Sequence, residues 1–376
     1  MNKNSDERMT LCRITEELDY NNKCFTDDIK KESIDKFDFT EDWPTEYYKR
    51  SGIEKTWKEN LENAWKKYHN LDPIEKFFIY KASSNKEMPS PKKYTNANEF
   101  LDKENNGYSY SWYIVDPDSN SKLLQGIYRL LWDKVYLNNC IKDNKYIIGD
   151  TMNSVATTIN HYICKHKKTI SKYPYWGETL EEYCKDKDLL NKDYVKSFVK
   201  NNYTLGNFIP VPEACNGPRG KGPTMDYWDL TLLYIYEYYS EEKDVKWVEM
   251  ILGSIETEKA LRYKKWLKSF VNGLNEPDWN EFVKRNYMQP FVCVEVDGKW
   301  KNGDECSSIE LRDATSFGKP LQLWNEHFCS NTPVLPQEEK DFEQFFDNAT
   351  KRIKKRGELM KEALIKKLEN SPLSES

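Results

Sequence analysis

Residues 203–239, YTLGNFIPVPEACNGPRGKGPTMDYWDLTLLYIYEYY, decide how this chain is read. Three physical regimes follow one another within it. Tyr203–Pro212 reads as extended chain, punctuated by Pro210 and Pro212, which carry no backbone N–H. Asn216-Gly217-Pro218-Arg219-Gly220-Lys221-Gly222-Pro223 is a glycine-rich, basic loop. From Asp226 to Tyr239 the spacing predicts a helix. Leu230, Leu233, Tyr234, Glu237 and Tyr238 form one stripe of it, and Tyr227, Trp228, Thr231, Ile235 and Tyr239 fall on the adjoining faces. A helix that is apolar on most sides belongs in the middle of a fold. The stretch is therefore expected to be both the organising element and the functional site.

The loop has the composition of an anion cradle. Its glycines let backbone N–H groups approach a ligand, Arg219 can fork onto a phosphate, and Lys221 supplies a point charge. The helix behind it adds the positive end of its dipole. Asn216, Gly220 and Lys221 are the expected ligand-binding residues, and Arg219, Asp226 and Asp229 the expected catalytic ones. It is not a Walker A loop, because only two residues separate Gly217 from Gly220 and a glycine follows the lysine. The same residues also make an ordinary surface turn in which Arg219 pairs with Asp226 or Asp229. The two aspartates, three apart, share a face at the helix start. There they serve as caps and dipole partners, with Thr224 as a competing cap, or as a divalent-cation or acid–base pair.

Composition limits the alternatives. The 376 residues carry a net charge of −5, with a pI near 5.7, so no global basic field draws in nucleic acid or an acidic membrane. Mean hydropathy is −0.88 and charged residues reach 32%, a balance that would suggest disorder. The 25 Tyr, 16 Phe and 12 Trp point instead to a folded chain with an aromatic core. No apolar run has the ~18 residues of a membrane span. MNKNSDERMTLC lacks the apolar region of a secretory signal. Nine cysteines without CxxC pairs fit reduced thiols. These features predict a soluble cytoplasmic protein without a membrane partner.

Elsewhere the pattern is helix-dominated, and the predicted class is α+β, mainly helical, with a few short strands. Region 1–106 reads as mixed and largely helical, with a helix over 51–70 and a flexible insertion near 83–106. The main body spans 107–370, followed by a disordered tail at 371–376. Within the body, Tyr108–Val115 reads as a strand, Leu123–Lys134 and Met152–Ile163 as helices, and 177–198 as two short helical patterns. Val245–Leu274 suggests one or two helices with Leu261, Trp266, Leu267 and Phe270 inward. Pro277-Asp278-Trp279 opens another. Phe291–Val296 is a strand closed by an Asp297-Gly298 hairpin turn. Gln337–Glu369 is a long helix that Gly357 weakens by about 1 kcal/mol relative to alanine. Neither His161/Cys164/His166 nor Asn325–Cys329 has the spacing of a metal site, so no metal is expected. No serine sits in a nucleophile-elbow context, and the sequence names no cofactor.

The central stretch resembles an uncharacterised bacterial family, a domain of unknown function marked by a T-[IL]-G segment, then N-x-x-R-G, then D-x-x-D-L-T-L and an aromatic pair. Here these are Thr204-Leu205-Gly206, Asn216 to Gly220, Asp226 to Leu232, and Tyr238-Tyr239. Weaker likeness extends to Tyr128–Trp132, Leu323–His327, Arg352 and Arg356-Gly357. The resemblance implies that loop and helix belong to one unit and implies no activity. The residues themselves suggest binding of a nucleotide or nucleic acid with hydrolytic chemistry at the Arg/Asp site. The alternative is a non-enzymatic interaction or regulatory protein, for example an anti-phage component, in which the motif is structural.

Overall fold

The aromatic helix spans Trp228–Tyr239 (α4 below), and every residue from Trp228 to Ile235 is buried. The computed structural model describes residues 122–142, 146–153, 158, 192–201, 204–213, 215, 227–240, 258–324 and 335–369. Expectations for 1–121, for the insertion near 83–106 and for the tail at 371–376 lie outside the described residues. So do the 108–115 strand, both histidine-containing clusters and the whole of the basic loop at 216–223.

In chain order the described elements are helices α1 (Lys122–Leu131) and α2 (Lys134–Leu137) and strands β1 (Ile141–Lys142), β2 (Tyr146–Ile147) and β3 (Gly149–Thr151). Helix α3 (Asp193–Asn201), a 3-10 turn (Leu205–Asn207) and strand β4 (Phe208–Pro210) lead to α4. Helices α5 (Glu258–Lys268) and α6 (Trp279–Arg285) precede a second 3-10 turn (Gln289–Phe291). Strands β5 (Val292–Val296), β6 (Lys299–Asn302) and β7 (Phe317–Pro320) surround α7 (Ser308–Asp313), and α8 (Glu339–Glu369) closes the described chain. The strands pair antiparallel as β1–β2, as β3–β4 and as a three-stranded sheet ordered β6-β5-β7. An α+β architecture dominated by helices is thus present among the described residues.

Helix α8 is the backbone of the core. Phe342, Phe345, Phe346, Ala349, Ile353, Met360 and Leu364 recur at three- and four-residue spacing and are fully buried. Each large apolar side chain contributes about 1.5–3 kcal/mol relative to exposure. Helix α3, the first 3-10 turn and α1 all pack on it. Phe198 of α3 meets Phe346 with ring centroids 4.8 Å apart. A second aromatic cluster joins α5 to α6: Phe270 lies edge-on to Phe282 at 5.1 Å and stacks on Tyr136 at 4.7 Å. Asp278 caps α6 by accepting from the Glu281 amide at 2.9 Å, a short polar start consistent with N-cap preference. The β5–β6 turn is as expected, with Asp297 and Gly298 both at positive φ (51° and 72°), the signature of a two-residue type I′ hairpin.

Three readings change. Residues 205–207 are not extended but form the 3-10 turn, because this turn must touch α8. A Cβ on Gly206 would sit 1.8 Å from the Ile353 carbonyl oxygen, so only glycine permits the approach. The helix expected over 337–369 is present as α8, which runs unbroken through Gly357, and that glycine faces Gly206 across the contact. Leu261 is 49% exposed rather than inward, since Tyr263, Trp266 and Leu267 fill the buried face of α5 and Leu261 lies half a turn away. Met152 and Asn153 form a buried bend, not a helix start; of the remainder of that expected helix only Thr158, which is helical, is described.

Candidate functional site

Asp229 lies in the first turn of α4 and is completely buried. It is not the helix cap. The N-cap position belongs to Tyr227, whose backbone is extended (φ −84°, ψ 121°) and whose side chain makes no capping bond. The expected capping role therefore fails for Asp229, because the helix starts one residue before it. Its carboxylate is used across the fold instead. Oδ2 accepts the Leu323 backbone N–H at 3.1 Å, and Oδ1 has no hydrogen-bond partner among the described residues. The Leu323 carbonyl accepts from Asn348 Nδ2 of α8 at 2.6 Å. A single residue beyond β7, Leu323, is thus held by its N–H from α4 and by its C=O from α8.

Aromatic rings wall this position. Tyr227 meets Trp324 edge-on at 5.5 Å and Phe345 at 4.8 Å. Burial is the main reason that the Asp229 carboxyl is pushed up to about 7. The amides of Leu323, Leu230 and Asp229 itself, and the Arg352 guanidinium, act in the opposite direction and do not offset it. A carboxylic acid that changes charge near neutral pH is the chemical feature this corner of the fold offers.

Beside it, α8 carries two buried arginines with different environments. Arg352 sends Nη2 toward Asp304 Oδ2 at 3.5 Å, and Lys351 approaches the same oxygen at 3.3 Å. Lys355 Nζ donates to the Asp304 carbonyl at 2.7 Å. Arg356, fully buried, has no carboxylate partner among the described residues. Its Nε and Nη2 donate to the Asn286 carbonyl at 3.1 and 3.0 Å, and Nη1 donates to the carbonyls of Gly206 and Phe208 at 2.7 and 2.8 Å. Desolvation lowers its pKa to about 9, which leaves it a cation at neutral pH. Asn286 in turn accepts from Trp132 Nε1 at 3.0 Å and donates to the Phe282 carbonyl at 2.9 Å. Arg356 therefore ties α6, the first 3-10 turn, β4 and, through Asn286, α1 to α8.

Of the six residues singled out in the sequence, Asp229 alone is described. Asn216, Arg219, Gly220, Lys221 and Asp226 lie outside the described residues. Sequence reasoning assigned no role to Arg352, Arg356, Asn286 or Asp304. For the arginines a signal existed: Arg352 and Arg356 fall in register with Phe345, Ala349, Ile353 and Met360, so a helix wheel places both charges on the apolar stripe. Among the described residues, no group of three or more His, Cys, Asp or Glu side chains is placed to hold a metal, and no helix is long and apolar enough to cross a membrane. Cys140, Cys215, Cys293 and Cys306 are buried. Compared with known proteins, the chain matches no family model, no curated protein and no solved structure.

Proposed function

We propose that this chain binds a phosphate-bearing ligand, a nucleotide or nucleic acid, in the cytoplasm. The ligand is held by Asn216, Gly220 and Lys221, and hydrolysis proceeds with Arg219 as charge stabiliser and Asp229, with Asp226, as the acid–base pair. The observation that supports this reading is Asp229: a buried carboxyl with one unpartnered oxygen, ionising near neutrality, at the N-terminal end of the helix that follows the basic glycine loop. A base of that strength is well matched to proton transfer at physiological pH. Mass spectrometry of nucleotides and RNA copurifying with wild type, Arg219→Ala and Asp229→Asn proteins tests it. Ligand retained by wild type and Asp229→Asn but lost from Arg219→Ala is expected. Equal, empty spectra from all three would remove the proposal.

A second reading has its own support. Asp229 is fully buried and already engages the Leu323 amide, as a structural pin would. The chain is then a non-enzymatic interaction or regulatory protein, such as an anti-phage component. In that case Asp229→Asn changes stability and leaves any nucleotide hydrolysis by the preparation unaltered.

A further inference from the structure

The open edge of the three-stranded sheet has features that the site above does not use. Strand β6 pairs with β5 on one side and forms the edge of the sheet. The two-residue turn makes Val296 and Lys299 a hydrogen-bonded pair, so Trp300, opposite Glu295, falls at a non-bonded position. The Glu295 amide accordingly points the other way, to the Ser316 carbonyl at 3.1 Å. By the same alternation the N–H and C=O of Trp300 point off the sheet edge. Its indole lies over Gly318, where an added Cβ would come within 3.1 Å of the ring, and yet remains 55% exposed. Lys299 and Lys301 flank it, both exposed. Lys301 is paired with Glu310 at 2.9 Å, and Lys299 makes no ion pair among the described residues.

We propose that β6 is a docking strand for an extended acidic segment of a partner protein, added to the sheet edge with its carboxylates opposite Lys299 and Lys301 and an aromatic side chain against Trp300. Outward backbone donors and acceptors supply a strand-like template, and an exposed tryptophan is the side chain most often found at an interface anchor. Charge selects the occupant. A second copy of β6 would set lysine opposite lysine, which is unfavourable. A nucleic-acid strand would bring phosphates toward the outward Trp300 carbonyl and would find Glu295 beside the indole. An acidic strand meets neither obstacle.

Fluorescence anisotropy with the full chain and two labelled pentapeptides, Thr-Glu-Phe-Glu-Thr and Thr-Lys-Phe-Lys-Thr, tests this. The acidic peptide is expected to bind more tightly by about tenfold. Lys299→Glu is expected to reverse the preference. Trp300→Pro removes an outward amide and the indole anchor together while leaving the β5–β6 hydrogen bonds, so it is expected to abolish binding of the acidic peptide; should it fail to fold, Lys299→Glu still decides the matter. Equal binding of the two peptides, or binding of neither, overturns the proposal. So does a concentration-dependent dimer of the chain that Trp300→Pro disrupts, which assigns the edge to a second copy. Displacement of the acidic peptide by a ten-residue oligothymidine overturns it in favour of nucleic acid.

Discussion

Arg356 and Asp229 are both charged groups buried in the same core, and they are solved in opposite ways. The arginine has all three of its nitrogens donating to three backbone carbonyls, so it stays charged at neutral pH despite its burial and the residue is an architectural node. The aspartate has one oxygen bonded and one without a partner, and burial shifts its ionisation toward neutrality. The difference teaches how to separate structural from chemically poised charges: by whether the hydrogen-bonding capacity is exhausted.

The most damaging way to probe that contrast is Arg356→Ala, which strands the carbonyls of Asn286, Gly206 and Phe208. A loss of at least about 3 kcal/mol is expected, read from urea unfolding; a loss below 1 kcal/mol would break the distinction. Next comes Gly206→Ala, whose methyl would meet the Ile353 carbonyl oxygen. Overpacking of this kind costs about 1–3 kcal/mol, and the same unfolding curve reads it. Asp229 sharpens the other side through pH. Its folded pKa, about 7, lies above the unfolded value of about 3.9. Between these limits the folded state therefore binds the additional proton. Stability from this group is greatest at low pH and falls by up to about 1.4 kcal/mol per unit as pH rises from about 4 to about 7. Asp229→Asn should flatten that slope, as measured by unfolding at pH 4.5, 6 and 7.5. The smallest effect belongs to an exposed charge: Arg285, half-exposed and paired with Asp133 at 3.4 Å and Glu281 at 3.1 Å, should lose less than about 1 kcal/mol as Arg285→Ala in the same assay.

Local pattern made several elements legible. The helix start at Pro277-Asp278-Trp279, the Asp297-Gly298 turn and the stripe of α8 each depend on neighbours within about four residues in sequence, and each appears as expected. Leu261 was misplaced because a short helix with apolar residues on two faces leaves its inward direction to whatever packs against it. Of the site, only the position of Asp229 in the first turn of the central helix was legible. Its partner at Leu323 lies 94 residues away, and no spacing rule links the two.

Gly357 shows the division most plainly. By propensity it is a weak point in a helix, whereas in the fold it stands where α8 meets Gly206. The sequence alone determined which segments become helices and strands and that the core would be aromatic, because periodicity and turn chemistry act over a few residues. Tertiary structure alone decided that Gly206 must be glycine, that the Arg356 cation would be held by backbone carbonyls and that Asp229 Oδ1 would lack a hydrogen-bond partner among the described residues. Those properties depend on distances between chain segments far apart in sequence, set only when the core closes around them.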